Sequence, residues 1–143
     1  MHSRIYVLEG SYEQDEGDIF EMLHAYIACD YVMEVSDDSN GFKSDLDWLG
    51  KTYPVENGIL KNTKENREKY LREKYDRVRE EIEKGFENFA NDTTGEYRLR
   101  MTINDRYGFY VVINDTLMTL DDFIFGSYYE GEYKITQIFD YHY

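Results

Sequence analysis

The sequence predicts a single α+β domain in which an antiparallel sheet of about four to five strands is covered by one long helix, over about residues 63–90, with one or two shorter helices. Three observations carry this. Apolar residues recur every three or four positions from Leu71 to Phe89, the mark of a helix face. Short runs of β-branched and aromatic residues, bounded by Gly, Asn and Asp, stand at both ends of the chain. The length, 143 residues, suits one domain and is short for two.

Taken in order, residues 3–8 hold Ile5, Val7 and Leu8 among β-formers and predict an opening strand that Gly10 ends. Asp18 can cap a helix whose apolar positions are Ile19, Phe20, Leu23, Tyr26 and Ile27. Residues 31–35 read as a second strand and residues 36–41 as a turn. A short helix capped by Ser44 follows, with Leu46 and Leu49 facing inward and Trp48 anchoring it. Pro54 and Asn57-Gly58 mark a turn-rich connection.

Thr63 is a good cap for the long helix, whose row of Leu71, Tyr75, Val78, Ile82, Phe86 and Phe89 is the clearest pattern in the chain. Beyond it, Tyr97, Leu99, Met101 and Ile103 alternate with Arg98, Arg100 and Thr102, which predicts a strand paired in a hairpin with residues 109–113. Residues 116–125 read as a helical turn with Thr119 as cap, and residues 133–139 as a closing strand.

The formal net charge is -14, unevenly spread. In residues 1–50 twelve carboxylates face only Arg4 and Lys43; residues 51–100 are nearly balanced, with 12 basic and 11 acidic side chains. Such a field repels nucleic acid and anionic membrane and speeds association with basic proteins, so direct nucleic-acid or membrane binding is not expected. No leader segment or membrane span is read, and the single cysteine, Cys29, suits a cytoplasmic protein. The aromatic content, 15 Tyr and 8 Phe, separates this acidic chain from disordered ones.

Motifs for chemistry are sparse. His2, His24 and His142 form no metal-ligand spacing with Cys29, and no phosphate loop or nucleophile elbow is present, so neither metal nor cofactor is expected. The turn at Asp38, Asn40 and Gly41 fits part of an EF-hand loop, but Ser36 and Asp47 stand where its first and last ligands belong. Asp37-Asp38, Asp45 with Asp47, and Asp121-Asp122 are carboxylate pairs, while His24 and Cys29, five positions apart, would point to different helix faces.

The strongest functional signal is the acidic amino-terminal third. Carboxylates two apart on a strand or four apart on a helix lie roughly 6–7 Å from one another, a spacing close to that of nucleic-acid phosphates. The sequence therefore points to a non-enzymatic binding module of inhibitor or immunity type, comparable in charge and size to phage counter-defence, anti-CRISPR and antirestriction proteins. It would present Glu13, Asp15, Glu16, Asp18, Glu34, Asp37, Asp38, Asp45, Asp47 and Trp48 to a basic nucleic-acid-handling protein, a nuclease or effector complex, as monomer or homodimer. Two alternatives stand beside it: a small enzyme or metal-dependent domain using the paired aspartates or His24 and Cys29, and a dimeric scaffold joined through the long helix.

Overall fold

The computed structural model describes residues 1–88 and 95–143. In chain order these form β1 (His2–Leu8), α1 (Glu16–His24), β2 (Tyr31–Val35), α2 (Asn40–Gly50), β3 (Val55–Glu56), β4 (Ile59–Asn62), α3 (Lys64–Asn88), α4 (Gly95–Ile103), β5 (Tyr110–Ile113), β6 (Thr116–Thr119), α5 (Leu120–Phe125), a 3₁₀ turn at Ser127–Tyr129 and β7 (Gly131–His142). The class is α+β as expected. The sheet is larger than expected and mixed, with seven strands in the order β3-β4-β7-β1-β5-β6 and β2 beside β4 on the same edge of β7.

The sheet is built around β7. Its first residues pair with β4, Gly131 opposite Asn62, and its last with β2, His142 opposite Tyr31. Its other edge pairs antiparallel with β1, through a register shift next to Val7 and Leu8. That irregularity lets Ile135 and Ile138, three apart, enter the same core cluster. β1 then pairs parallel with β5, Ile5 opposite Tyr110, so the sheet is not purely antiparallel.

Local chemistry explains most boundaries. Asp15 rather than Asp18 caps α1, its carboxylate accepting from the Asp18 N–H at 2.8 Å. Ser39 rather than Ser44 caps α2, accepting from Phe42 N–H at 3.1 Å, so the helix starts within the expected turn. Thr63 and Thr119 accept from Asn66 and Asp122 at the starts of α3 and α5, as read from sequence. Two hairpins turn on paired left-handed residues, Asn57 with Gly58 and Asn114 with Asp115, the backbone geometry that matches the twist of two-residue hairpins. The first turns a presumed connection into β3 and β4.

The expected strand at 97–103 is a helix, α4, which runs along α3. Tyr97 and Met101, like Leu99 and Ile103, are four apart, a spacing that shares a face on a strand and on a helix alike. Glu96 bonds Arg100 one turn on, and Thr102 Oγ1 donates to Arg98 O at 2.9 Å, both helical spacings. β5 therefore takes β1 and β6 as neighbours.

Nor does the long helix cover the sheet. α1 lays Ile19 and Leu23 on one face, over Ile5, Val7, Tyr110, Val112, Phe139 and Tyr141. α2 and α5 lay Leu49, Leu120, Phe123 and Ile124 on the other, over Tyr6, Leu8, Val111 and Ile138. α3 meets β4 and α5 and extends beside α4. Its expected end near residue 90 lies outside the described residues.

Candidate acidic interface

Two segments of the amino-terminal third, residues 11–18 and 34–42, are drawn together at one end of β1. After Gly10 the chain passes through Ser11–Asp15 into α1, and β2 returns beside β7, so two adjoining grooves open between these segments. One, of about 640 Å³, is lined by Glu13, Glu34 and Asp37 with Ser11, Phe42, Thr136 and Gln137. The other, of about 700 Å³, shares Glu13 and Glu34 and adds Asp15, Glu16 and Asp18. Six of the ten sequence-selected residues thus line one acidic surface. None of the described lining residues is Lys or Arg, and none of the six carboxylates joins an ion pair among the described residues.

Several of these side chains are held in place. Glu16 accepts from the Glu34 backbone N–H at 2.9 Å, tying the start of α1 to β2. Beneath them, buried Gln137 donates to Glu34 Oε1 at 2.8 Å and to Gln14 O at 3.0 Å, while its oxygen accepts from Gln14 N–H at 2.8 Å. An amide can bridge donors and acceptors at once, so Gln137 joins β7 to the loop before α1 and orients Glu34 without neutralising it. Gln137 and Gln14 carry no signal in the sequence, since their roles depend on contacts more than one hundred residues away.

The remaining selected residues fall elsewhere. Asp38 accepts from Ser36 Oγ inside its own turn. Asp45 must be corrected: at 6% exposure it is internal, its carboxylate bound to Arg4 Nε at 2.8 Å and its carbonyl to the Tyr6 hydroxyl at 2.9 Å, so it does not belong to an outer acidic surface. Arg4 also bonds Asp140 at 2.7 Å, a part-buried three-residue charge network that fixes α2 to the sheet. Asp47 is exposed on the outer side of α2. Trp48 packs edge-on against Phe109 at 5.0 Å beneath the Arg4 guanidinium, at the opposite end of β1.

The residues named for chemistry have structural partners. His24 stacks on Phe20 at 5.7 Å. Burial, with Asp30 beside it, pushes the Cys29 thiol up, away from the thiolate a nucleophile needs. Ser39, at the centre of the EF-hand-like stretch, spends its hydroxyl on capping α2. Among the described residues no three His, Cys, Asp or Glu side chains converge as a metal site, and no helix is long and apolar enough to cross a membrane.

Compared with models of known families, with curated proteins and with solved structures, the chain matches none. The surface described above therefore has to be read from its own chemistry.

Proposed function

We propose that this chain is a non-enzymatic acidic binding module, an inhibitor or immunity-type protein that presents a nucleic-acid-like surface to a basic nucleic-acid-handling protein. One observation carries the reading. Glu13, Asp15, Glu16, Asp18, Glu34 and Asp37 come from a loop, a helix start and a strand end to line a continuous pair of grooves without a compensating Lys or Arg. Concentrating like charge costs folding stability through self-repulsion, and the same field draws a basic surface in at enhanced rates. Gln137 and Glu16 hold part of the surface before any partner arrives, which lowers the ordering cost of binding.

The test is capture from nuclease-treated lysate of the source cells, with Glu13, Asp15, Glu34 and Asp37 together changed to Lys. The native chain is expected to retain a basic nucleic-acid enzyme that salt releases and DNA or RNA displaces, and the variant to retain none. An unchanged set of bound proteins in the variant, with the fold intact by circular dichroism, overturns the proposal.

A second reading, a helix-mediated homodimer, is favoured by the exposure of Tyr75, Ile82, Tyr97 and Ile103 along α3 and α4. Light scattering at working concentration separates the two: a stable dimer that Tyr75→Lys with Ile82→Lys dissolves would establish the helical seam.

A further inference from the structure

At the other end of β1 lies a groove of about 300 Å³ with a different chemistry, and it is independent of the acidic interface. With seven residues at about 3.3 Å each, β1 places the two roughly 20 Å apart. Besides the His2 imidazole, five aromatic rings line it, those of Trp48, Tyr70, Tyr107, Phe109 and Tyr143, together with the carboxylates of Asp105 and Asp121; none of the described lining residues is Lys or Arg. We propose that this groove binds a guanidinium cation.

The two carboxylates are not equivalent. Asp121 is already engaged, bonded to Lys74 and to the Tyr70 hydroxyl. Asp105 makes no ion pair among the described residues. One of its oxygens accepts from Tyr107 N–H at 3.0 Å; burial pushes the hydroxyls of Tyr70, Tyr110, Tyr141 and Tyr143 up, and the Asp105 charge adds a smaller push in the same direction. Gly108 makes the arrangement possible, because a Cβ there would stand 2.9 Å from Asp105 Oδ2. The Gly108 carbonyl is pinned by Ser3 Oγ at 2.9 Å and by the Tyr141 hydroxyl at 2.5 Å, so the loop holds its carboxylate beside the rings in advance.

A ring face is electron-rich and a lone carboxylate adds full charge, so the groove selects a cation that can stack and donate two hydrogen bonds to one carboxylate. A guanidinium is planar and weakly hydrated; an ammonium is a compact, strongly hydrated charge. The chain already uses this chemistry on three of the five rings: Arg4, Arg77 and Arg106 lie over Trp48, Tyr70 and Tyr107 at 5.2, 5.9 and 5.0 Å, though none of these arginines lines the groove. The volume is at the lower limit for a small-ligand pocket, suited to a guanidinium on a short stem.

Trp48, the only tryptophan, is a built-in reporter. The full chain should be titrated with methylguanidinium, arginine amide and the neutral isostere methylurea, following Trp48 fluorescence. Saturable change with both cations and none with methylurea is expected. Asp105→Asn and Gly108→Ala should each weaken the cation at least tenfold, while Asp37→Asn in the acidic grooves leaves it unaltered; thermal melts check that each variant folds. Equal response to methylurea, or undiminished affinity in folded Asp105→Asn, overturns the proposal. An arginine-bearing peptide that binds tenfold tighter than arginine amide would mark a protein side chain as the source, and equal affinity a free guanidine; both support a guanidinium site.

Discussion

β1 and α3 bury opposite kinds of side chain. Ile5, Tyr6, Val7 and Leu8 of β1 have no exposed surface at all, whereas among the described side chains of α3 the most buried are Arg67 and Lys74. β1 sits between β7 and β5 with helices over both faces, so apolar burial holds it. α3 is held through its polar residues. Arg67 donates to Ile124 O at 2.9 Å and to Phe125 O at 3.2 Å and pairs with Glu130, and Lys74 pairs with Asp121. Its regular apolar row is spent differently: Leu71 and Val78 are half-buried, but Tyr75 is 68% and Ile82 40% exposed. A periodic row shows that a face exists without showing what covers it.

The contrast can be tested at four strengths. The largest effect is expected in alkali. Burial holds the phenols of Tyr6, Tyr110 and Tyr141 well above their usual range and pushes Tyr53 up to about 12. A phenol whose folded pKa exceeds its unfolded value contributes stability that is complete below about pH 10 and is lost as pH rises through the folded value. Each such group should cost about 1.4 kcal/mol per pH unit above 10. Urea midpoints between pH 7 and 11.5 should be level and then fall steeply, with the tyrosinate absorbance of the buried phenols appearing only on unfolding, as a step above that of exposed tyrosines such as Tyr75 and Tyr128. Ionisation of all fifteen tyrosines with the fold retained would contradict a closed core.

Next in size is Phe139→Ala, which empties the centre of the α1 face and should cost about 3–5 kcal/mol in chemical denaturation. Lys74→Ala, which leaves Asp121 without its cation at a site where both side chains are largely buried, should cost about 3 kcal/mol. Lys74→Met with Asp121→Leu should recover most of that, because the pair's attraction is offset by its desolvation. Smallest is Tyr75→Ala, expected within about 0.5 kcal/mol despite its place in the apolar row. A loss of 2 kcal/mol there, together with a dependence on protein concentration, would mean that a second copy covers α3.

The acidic surface was partly legible. Glu13, Asp15, Glu16 and Asp18 are neighbours in sequence and stay neighbours in space. Glu34 and Asp37 join them because β2 pairs with β7. Asp45 looked equivalent to Asp47, yet α2 turns Asp45 inward onto Arg4 and Asp47 outward. Two positions on a helix differ by about 200°, and sequence alone does not say which of them faces the sheet. Trp48, expected in the same surface, lies at the far end of β1 with Tyr107, Phe109 and Tyr143, whose convergence no local pattern shows.

Local chemistry settled what local chemistry can. The opening and closing strands, the starts of α3 and α5 at Thr63 and Thr119, the acidic amino-terminal third and the α+β class all rest on residues within a few positions of one another. Tertiary structure decided the rest. Whether 97–103 became strand or helix depended on α3 and not on its own alternation. The seventh strand reached twelve residues because β4 and β2 share one of its edges while β1 takes the other. The acidic surface and the aromatic groove exist only because that strand brings residues near 137 and 143 to those near 14 and 3. Propensity and capping act over one turn or one pleat, whereas a groove is formed by surfaces from distant segments, whose positions only the packed sheet determines.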